Sequence, residues 1–203
     1  MRKIATIGAG LALAALPALA SAQETRVVVR DRPTQVLEIG GGVGDFTAGL
    51  QNQTDPGAAW DVRAIFGTHA PIAIEAAYVG GLNDLNTTGD EDASLMLNGG
   101  EALLRFNLSR GDIQPFIAAG AGVHNYSVVD LDRADMDVDA QDFRDSTDIA
   151  IPAAAGIQAY INERVTVGGR VSYRYIFDDQ VRADEDAADM QSWAATARLG
   201  MAF

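Results

Sequence analysis

Nine charged residues sit where strand alternation would turn them to one face: Glu38, Asp61, Arg63, Glu75, Glu101, Arg105, Arg170, Arg174 and Arg198. Gathered in one interior, four acids and five arginines would form ion pairs, because a lone buried charge is costly and an opposite neighbour offsets it. Candidates for bond-making chemistry are few. There is no cysteine, so thiol catalysis and a disulfide framework are excluded. The two histidines are His69, in a predicted turn where a solvated side chain is expected, and His124, in a predicted strand. Ser127 lies three residues beyond His124, and residues three apart on a strand face opposite ways, which makes it a poor partner. No catalytic residue and no cofactor are expected. The remaining polar concentration is aspartate: Asp130, Asp132, Asp135, Asp137 and Asp139 lie in one stretch. Such a run ordinarily means a solvated surface. Its alternative is a divalent-cation site, although the glycine and closing glutamate of a calcium loop are missing.

Segments of alternation position these charges. They run over residues 36–47, 58–67, 72–80, 95–108, 113–128, 149–161, 165–177 and from about 192 to the end. Turn-rich stretches separate them, alternately long and tight. Val165, Val167, Val171, Tyr173, Tyr175 and Phe177 share one face of the seventh segment, opposite Arg170, Ser172 and Arg174. In the eighth, Trp193, Leu199, Met201 and Phe203 oppose Thr196 and Arg198. Trp193 and Phe203 would stand about 25 Å apart along a tilted strand, the height of the apolar band on a transmembrane barrel. An even strand count closes a ring without edges, and eight strands leave an interior just wide enough for side chains. The expected fold is therefore all-β, an eight-stranded antiparallel up-and-down transmembrane barrel. Its apolar face meets lipid and its charges fill the lumen. Tight turns are expected on the periplasmic side and long acidic loops outside. The fifth strand admits either orientation, so His124 faces the lumen or the outer lipid boundary.

The N-terminus reads as an export signal. Arg2 and Lys3 precede an apolar run, and Ala20-Ser21-Ala22 offers small residues at the cleavage position. The expected organisation is a signal peptide over 1–22, a periplasmic segment over 23–34 and the barrel over 35–203. Cleavage would lower the formal charge of the 203-residue chain from −13 to −15. A chain so acidic should repel nucleic acid.

The stretch Pro115-Phe116-Ile117-Ala118-Ala119-Gly120-Ala121-Gly122, the sequence Tyr173-Arg174-Tyr175 and terminal Phe203 resemble the eight-stranded outer-membrane barrel families, OmpA-type transmembrane domains and their stand-alone relatives. The resemblance implies a Gram-negative outer membrane, contact with lipid and lipopolysaccharide, and reading of Phe203 by the barrel-insertion machinery. Trp193, Tyr173, Tyr175 and Phe177 would form a membrane girdle with Phe203. The chain is expected to be a monomer and not an enzyme, with a structural, surface-interaction or narrow porin-like role and divalent cations as ligands of the loops. The alternative is a lipid-modifying enzyme on the same plan, and a third class is a soluble periplasmic ligand-binding barrel. OmpA-type proteins carry a peptidoglycan-binding domain after the barrel. None is expected after Phe203, and tethering to the cell wall is not implied.

Overall fold

The computed structural model describes residues 33–48, 55–85, 93–130, 146–177 and 190–203. The signal-peptide and periplasmic-segment expectations lie outside them, apart from residues 33 and 34. Eight strands follow in order: β1 Gln35–Ala48, β2 Gly57–Phe66, β3 Ile72–Leu85, β4 Ala93–Asn107, β5 Ile113–Asp130, β6 Ser146–Tyr160, β7 Val165–Phe177 and β8 Met190–Ala202. Each pairs antiparallel with the next, and β8 returns to β1 to close the barrel. The terminus is sewn into that seam, where the Phe203 amide donates to the Gln35 carbonyl at 3.0 Å.

Register fixes the shape. Stepping between paired residues, Gln35 leads through Phe66, Ile74, Leu104, Ala119, Ala153, Tyr173 and Trp193 to Asp45, ten residues farther along β1. A stagger of that size on eight strands tilts them about 40° from the barrel axis. Because tilt, strand number and diameter are linked, the lumen is narrow enough for opposite walls to touch through long side chains.

Alternation is strict, and it inverts the pattern of a water-soluble protein. Leu37, Ile39, Ile74, Leu104, Ile151 and Leu199 are among the large apolar residues exposed on the outer face. Charged residues are buried inside. A face of that kind is stable only against hydrocarbon.

Several strands extend beyond the alternating segments. β3 continues to Leu85, β4 begins at Ala93 and β6 at Ser146. These extensions carry Gly81 and Asn83, or Ser146 and Asp148, which look like loop residues in sequence, and the first of them follows directly on Gly80. The ladder tolerates them for local reasons. Gly80 lies opposite Trp60, whose indole occupies the space a Cβ there would need. Asn83 ties its amide to the Gly44 and Asp55 carbonyls at 3.0 and 3.1 Å.

Two tight turns are set by side-chain caps. Asn162 Oδ1 accepts from the Arg164 and Val165 amides, both at 2.8 Å, and Ser109 Oγ accepts from the Gly111 amide. In the β2–β3 turn Gly67 has φ +87°, a left-handed conformation that glycine adopts without strain.

Candidate functional site

The lumen fills in three layers. At the tight-turn end Val36, Ile65, Ala73 and Ala202 form a buried apolar cluster with Tyr160 packed against it. The β2–β3 turn is strapped across this layer. Asn107 donates to the Thr68 and Ala70 carbonyls at 3.0 and 2.8 Å, and the Tyr160 hydroxyl donates to Thr68 Oγ1 at 2.9 Å. His69 was expected to be a solvated turn residue. It is instead partly buried, stacked on Tyr160 with ring centroids 5.1 Å apart, and its Nδ1 lies 3.2 Å from the Gln114 amide. The turn folds inward because its neighbours present a flat ring and an amide where solvent would otherwise be.

Above this lies the charge layer. All nine residues picked out by strand parity are buried in the lumen. Arg63 joins three of the acids, with Nη1 3.0 Å from Glu75, Nη2 3.3 Å from Glu101 and Nε 3.5 Å from Asp61. Glu75 also receives Arg170 at 2.8 Å and Arg105 at 3.6 Å. Glu101 receives Arg174 Nε at 2.6 Å. Arg198 spans Glu38, at 2.9 Å, and Asp61. The result is one connected network reaching from β1 round to β8.

Small residues opposite the long ones make this packing feasible. Asp61 lies across from Gly40, Glu38 from Gly200, Arg198 from Gly168 and Arg170 from Gly156. A Cβ on Gly156 would stand 2.6 Å from the Phe116 ring, so that glycine also admits the aromatic. Phe116 in turn carries the Arg105 guanidinium 3.8 Å from its centroid and that of Arg170 at 5.6 Å. Its face offers a buried cation a partner that needs no desolvated anion.

This arrangement settles the fifth strand. Phe116, Ala118, His124 and Tyr126 are buried inside, while Ile117 and Val123 are exposed outside. His124 sits opposite Gly99, which leaves room for the imidazole, and its Nε2 lies 3.4 Å from Glu101. Asp148, read from sequence as the end of a loop, is buried and pairs in register with His124. Alternation alone could not orient β5, because Ile117, Ala119, Ala121 and Val123 make one plausible lipid face and Phe116, Ala118 and Tyr126 with the intervening glycines make another.

The third layer, toward the long connections, is mixed. Phe46 and Tyr126 meet with ring centroids 6.4 Å apart, and Leu95, Leu97 and Ile176 are buried at this end. Between it and Arg63 lies a cavity of about 30 Å³, lined in part by Ser172, Arg174, Ser192 and Thr196. That volume holds one or two waters.

On the outer wall, aromatics divide by type. Tyr173 and Phe203 are exposed, and Tyr175 and Trp193 are partly buried. The Phe177 side chain lies outside the described residues. Trp60 and Tyr78, not picked out from sequence, share the lipid-facing parity on β2 and β3, and Tyr78 donates to Asn98 at 2.7 Å. Phe66 and Phe106 join Phe203 toward the tight-turn end. Of the acidic stretch, Asp130 closes β5 opposite Ala93, while Asp132, Asp135, Asp137 and Asp139 lie outside the described residues. Among the described residues, no cluster of His, Cys, Asp or Glu is arranged to hold a metal.

The outer-membrane protein β-barrel domain matches residues 8–203. The chain belongs to that family. Its barrel accordingly resides in an outer membrane. Among solved structures it is similar to neisserial surface protein A, with TM-score 0.58 and 15% identity over 86% of this chain and 100% of that one. It is also similar to OprG from Pseudomonas aeruginosa, with TM-score 0.54 and 14% identity over 85% and 97%. Identities this low establish the shared fold. No curated protein matches the sequence.

Proposed function

We propose that this protein is a closed, non-enzymatic outer-membrane scaffold that presents its long acidic connections at the cell surface. The observation that carries this reading is the lumen filled at three successive levels, with a residual cavity of about 30 Å³. A conducting porin needs a continuous water path, and here an ionic network and a strapped turn both interrupt it. Ions would pass only if both barriers parted together, which makes any pore activity brief. The histidines suit the same reading, because an amide beside His69 and a carboxylate beside His124 do not make a nucleophile–base pair. In this proposal the chain is exported through residues 1–22 in a Gram-negative cell, inserts as a monomer and contacts lipopolysaccharide. Divalent cations are then the natural ligands of its acidic loops.

The absence of cysteine makes a direct test simple. Ala140→Cys and Asn162→Cys are introduced separately, and intact cells are treated with a membrane-impermeant maleimide. Residue 140 is expected to label and residue 162 to stay unlabelled until the cells are lysed. Labelling at 162 alone would reverse the orientation and end the surface-presentation reading. Planar-bilayer recordings of the refolded protein should show only rare, brief events. Sustained discrete conductance would overturn the closed-scaffold reading.

A further inference from the structure

The charge layer holds five arginines and four carboxylates, and Asp148 beside His124 is a fifth buried acid. Every guanidinium nitrogen that does not reach one of these carboxylates still needs an acceptor in so poorly solvated an interior. Arg174 keeps the largest side-chain exposure of the five network arginines, 7% against 2% or less for the others. Arg174 lines the cavity above Arg63 together with Ser172, Ser192 and Thr196. Ser192 Oγ is buried there without a hydrogen-bond partner, and Ser172 Oγ already accepts from Arg170 Nε at 3.1 Å, so its proton is free to point elsewhere. Asp61 and Asp45 also line the cavity; Arg198 and Arg63 engage the Asp61 carboxylate, and Asp45 Oδ1 accepts from the Phe46 amide at 2.8 Å.

We infer that this cavity is a binding site for a small inorganic anion of the chloride class, held by Arg174 and Arg63 with hydroxyl donation from Ser192 and Ser172. About 30 Å³ admits a monatomic ion and excludes an organic carboxylate such as gluconate. The site does not depend on whether the barrel conducts.

The test compares refolded protein in sodium chloride and in sodium gluconate at equal ionic strength, following unfolding in urea. Chloride is expected to shift the folded-to-unfolded ratio saturably, about a hundredfold when its concentration is a hundred times the dissociation constant. Bromide-soaked crystals should show anomalous density between Arg174 and Ser192. Ser192→Asp places a carboxylate in the cavity and should abolish both the chloride dependence and the bromide peak while keeping heat-modifiable migration. Should that variant fail to fold, Ser192→Ala is expected to keep the fold and weaken the chloride dependence severalfold. Equal stability in the two salts, bromide density confined to the outer surface, or an unchanged chloride effect in a folded Ser192 variant would each overturn the inference. Density for water alone would do the same.

Discussion

Glu75 is the residue whose loss should cost most, and the reason lies in what it leaves behind. It is fully buried and receives Arg63, Arg105 and Arg170. In Glu75→Gln the shape is kept and the charge is lost. Arg63 still has Asp61 and Glu101, but among the described ion pairs Arg105 and Arg170 have no other carboxylate. Breaking a buried pair by removing one partner typically costs 3–5 kcal/mol, roughly. Two stranded guanidiniums argue for the top of that range, while the Phe116 face beneath both of them returns part of it. The expected cost is about 4 kcal/mol, nearly a thousandfold in the folded-to-unfolded ratio. Glu101→Gln strands only Arg174 and should cost about 3 kcal/mol. Glu38→Gln strands nothing, because Arg198 retains Asp61, and about 1 kcal/mol is expected. Urea unfolding in lipid vesicles, read through Trp60 and Trp193 emission as the strands leave the bilayer, measures all three. Adding Arg105→Met to Glu75→Gln should recover at least about 1 kcal/mol, since one stranded cation is gone. The reasoning fails if Glu75→Gln costs no more than Glu38→Gln, or if the added Arg105→Met recovers nothing.

Gly156→Ala puts a methyl against Phe116 and the Gly169 carbonyl, and thermal unfolding should report a loss of about 1–3 kcal/mol. Asn107→Ala removes both amide bonds that strap the β2–β3 turn; proteolysis from the tight-turn side should then cut at residues 68–70 several times faster, with the barrel otherwise folded. Leu104→Arg, exposed partway along β4 on the lipid face, should cost about 2–4 kcal/mol in vesicles. Ile161→Arg, beyond the end of β6 beside the tight turn, should cost about 0–1 kcal/mol by the same titration, and equal costs would place the apolar band wrongly.

The strand count, the pairing order and the inward set of nine charges were legible because alternation has a period of two and a misplaced charge would face lipid. What escaped reading escaped for physical reasons. β5 carries no charge along its middle, and alanine and glycine fit either face. Only the cross-strand space at Gly99 and Gly156 orients it, and such space is a property of pairs, not of one strand. Asp148 and Asn83 looked like loop residues because they are polar. In this fold, though, strands continue past the apolar band into a polar zone where inward positions still count. His69 could not be read at all from local pattern, since its partners lie 45 residues away at Gln114 and across the lumen at Tyr160.

The same geometry explains why this interior is ionic when hydrophobic side chains could also fill a narrow tube. Inside a transmembrane barrel the apolar surface already faces outward, so an apolar lumen would leave nothing to tell the two faces apart. A one-residue slip of any strand would then go unpunished. With Arg63 bound to acids on β2, β3 and β4, and Arg198 joining β8 to β1 and β2, a slip carries a charge into lipid and empties its socket inside. The network specifies register around the ring whatever its net contribution to stability. Glycine opposite charge is the complementary half of that code. Gly40 leaves its space to Asp61, Gly200 to Thr166 and Glu38, and Gly156 to Phe116, so register and packing are satisfied together or lost together.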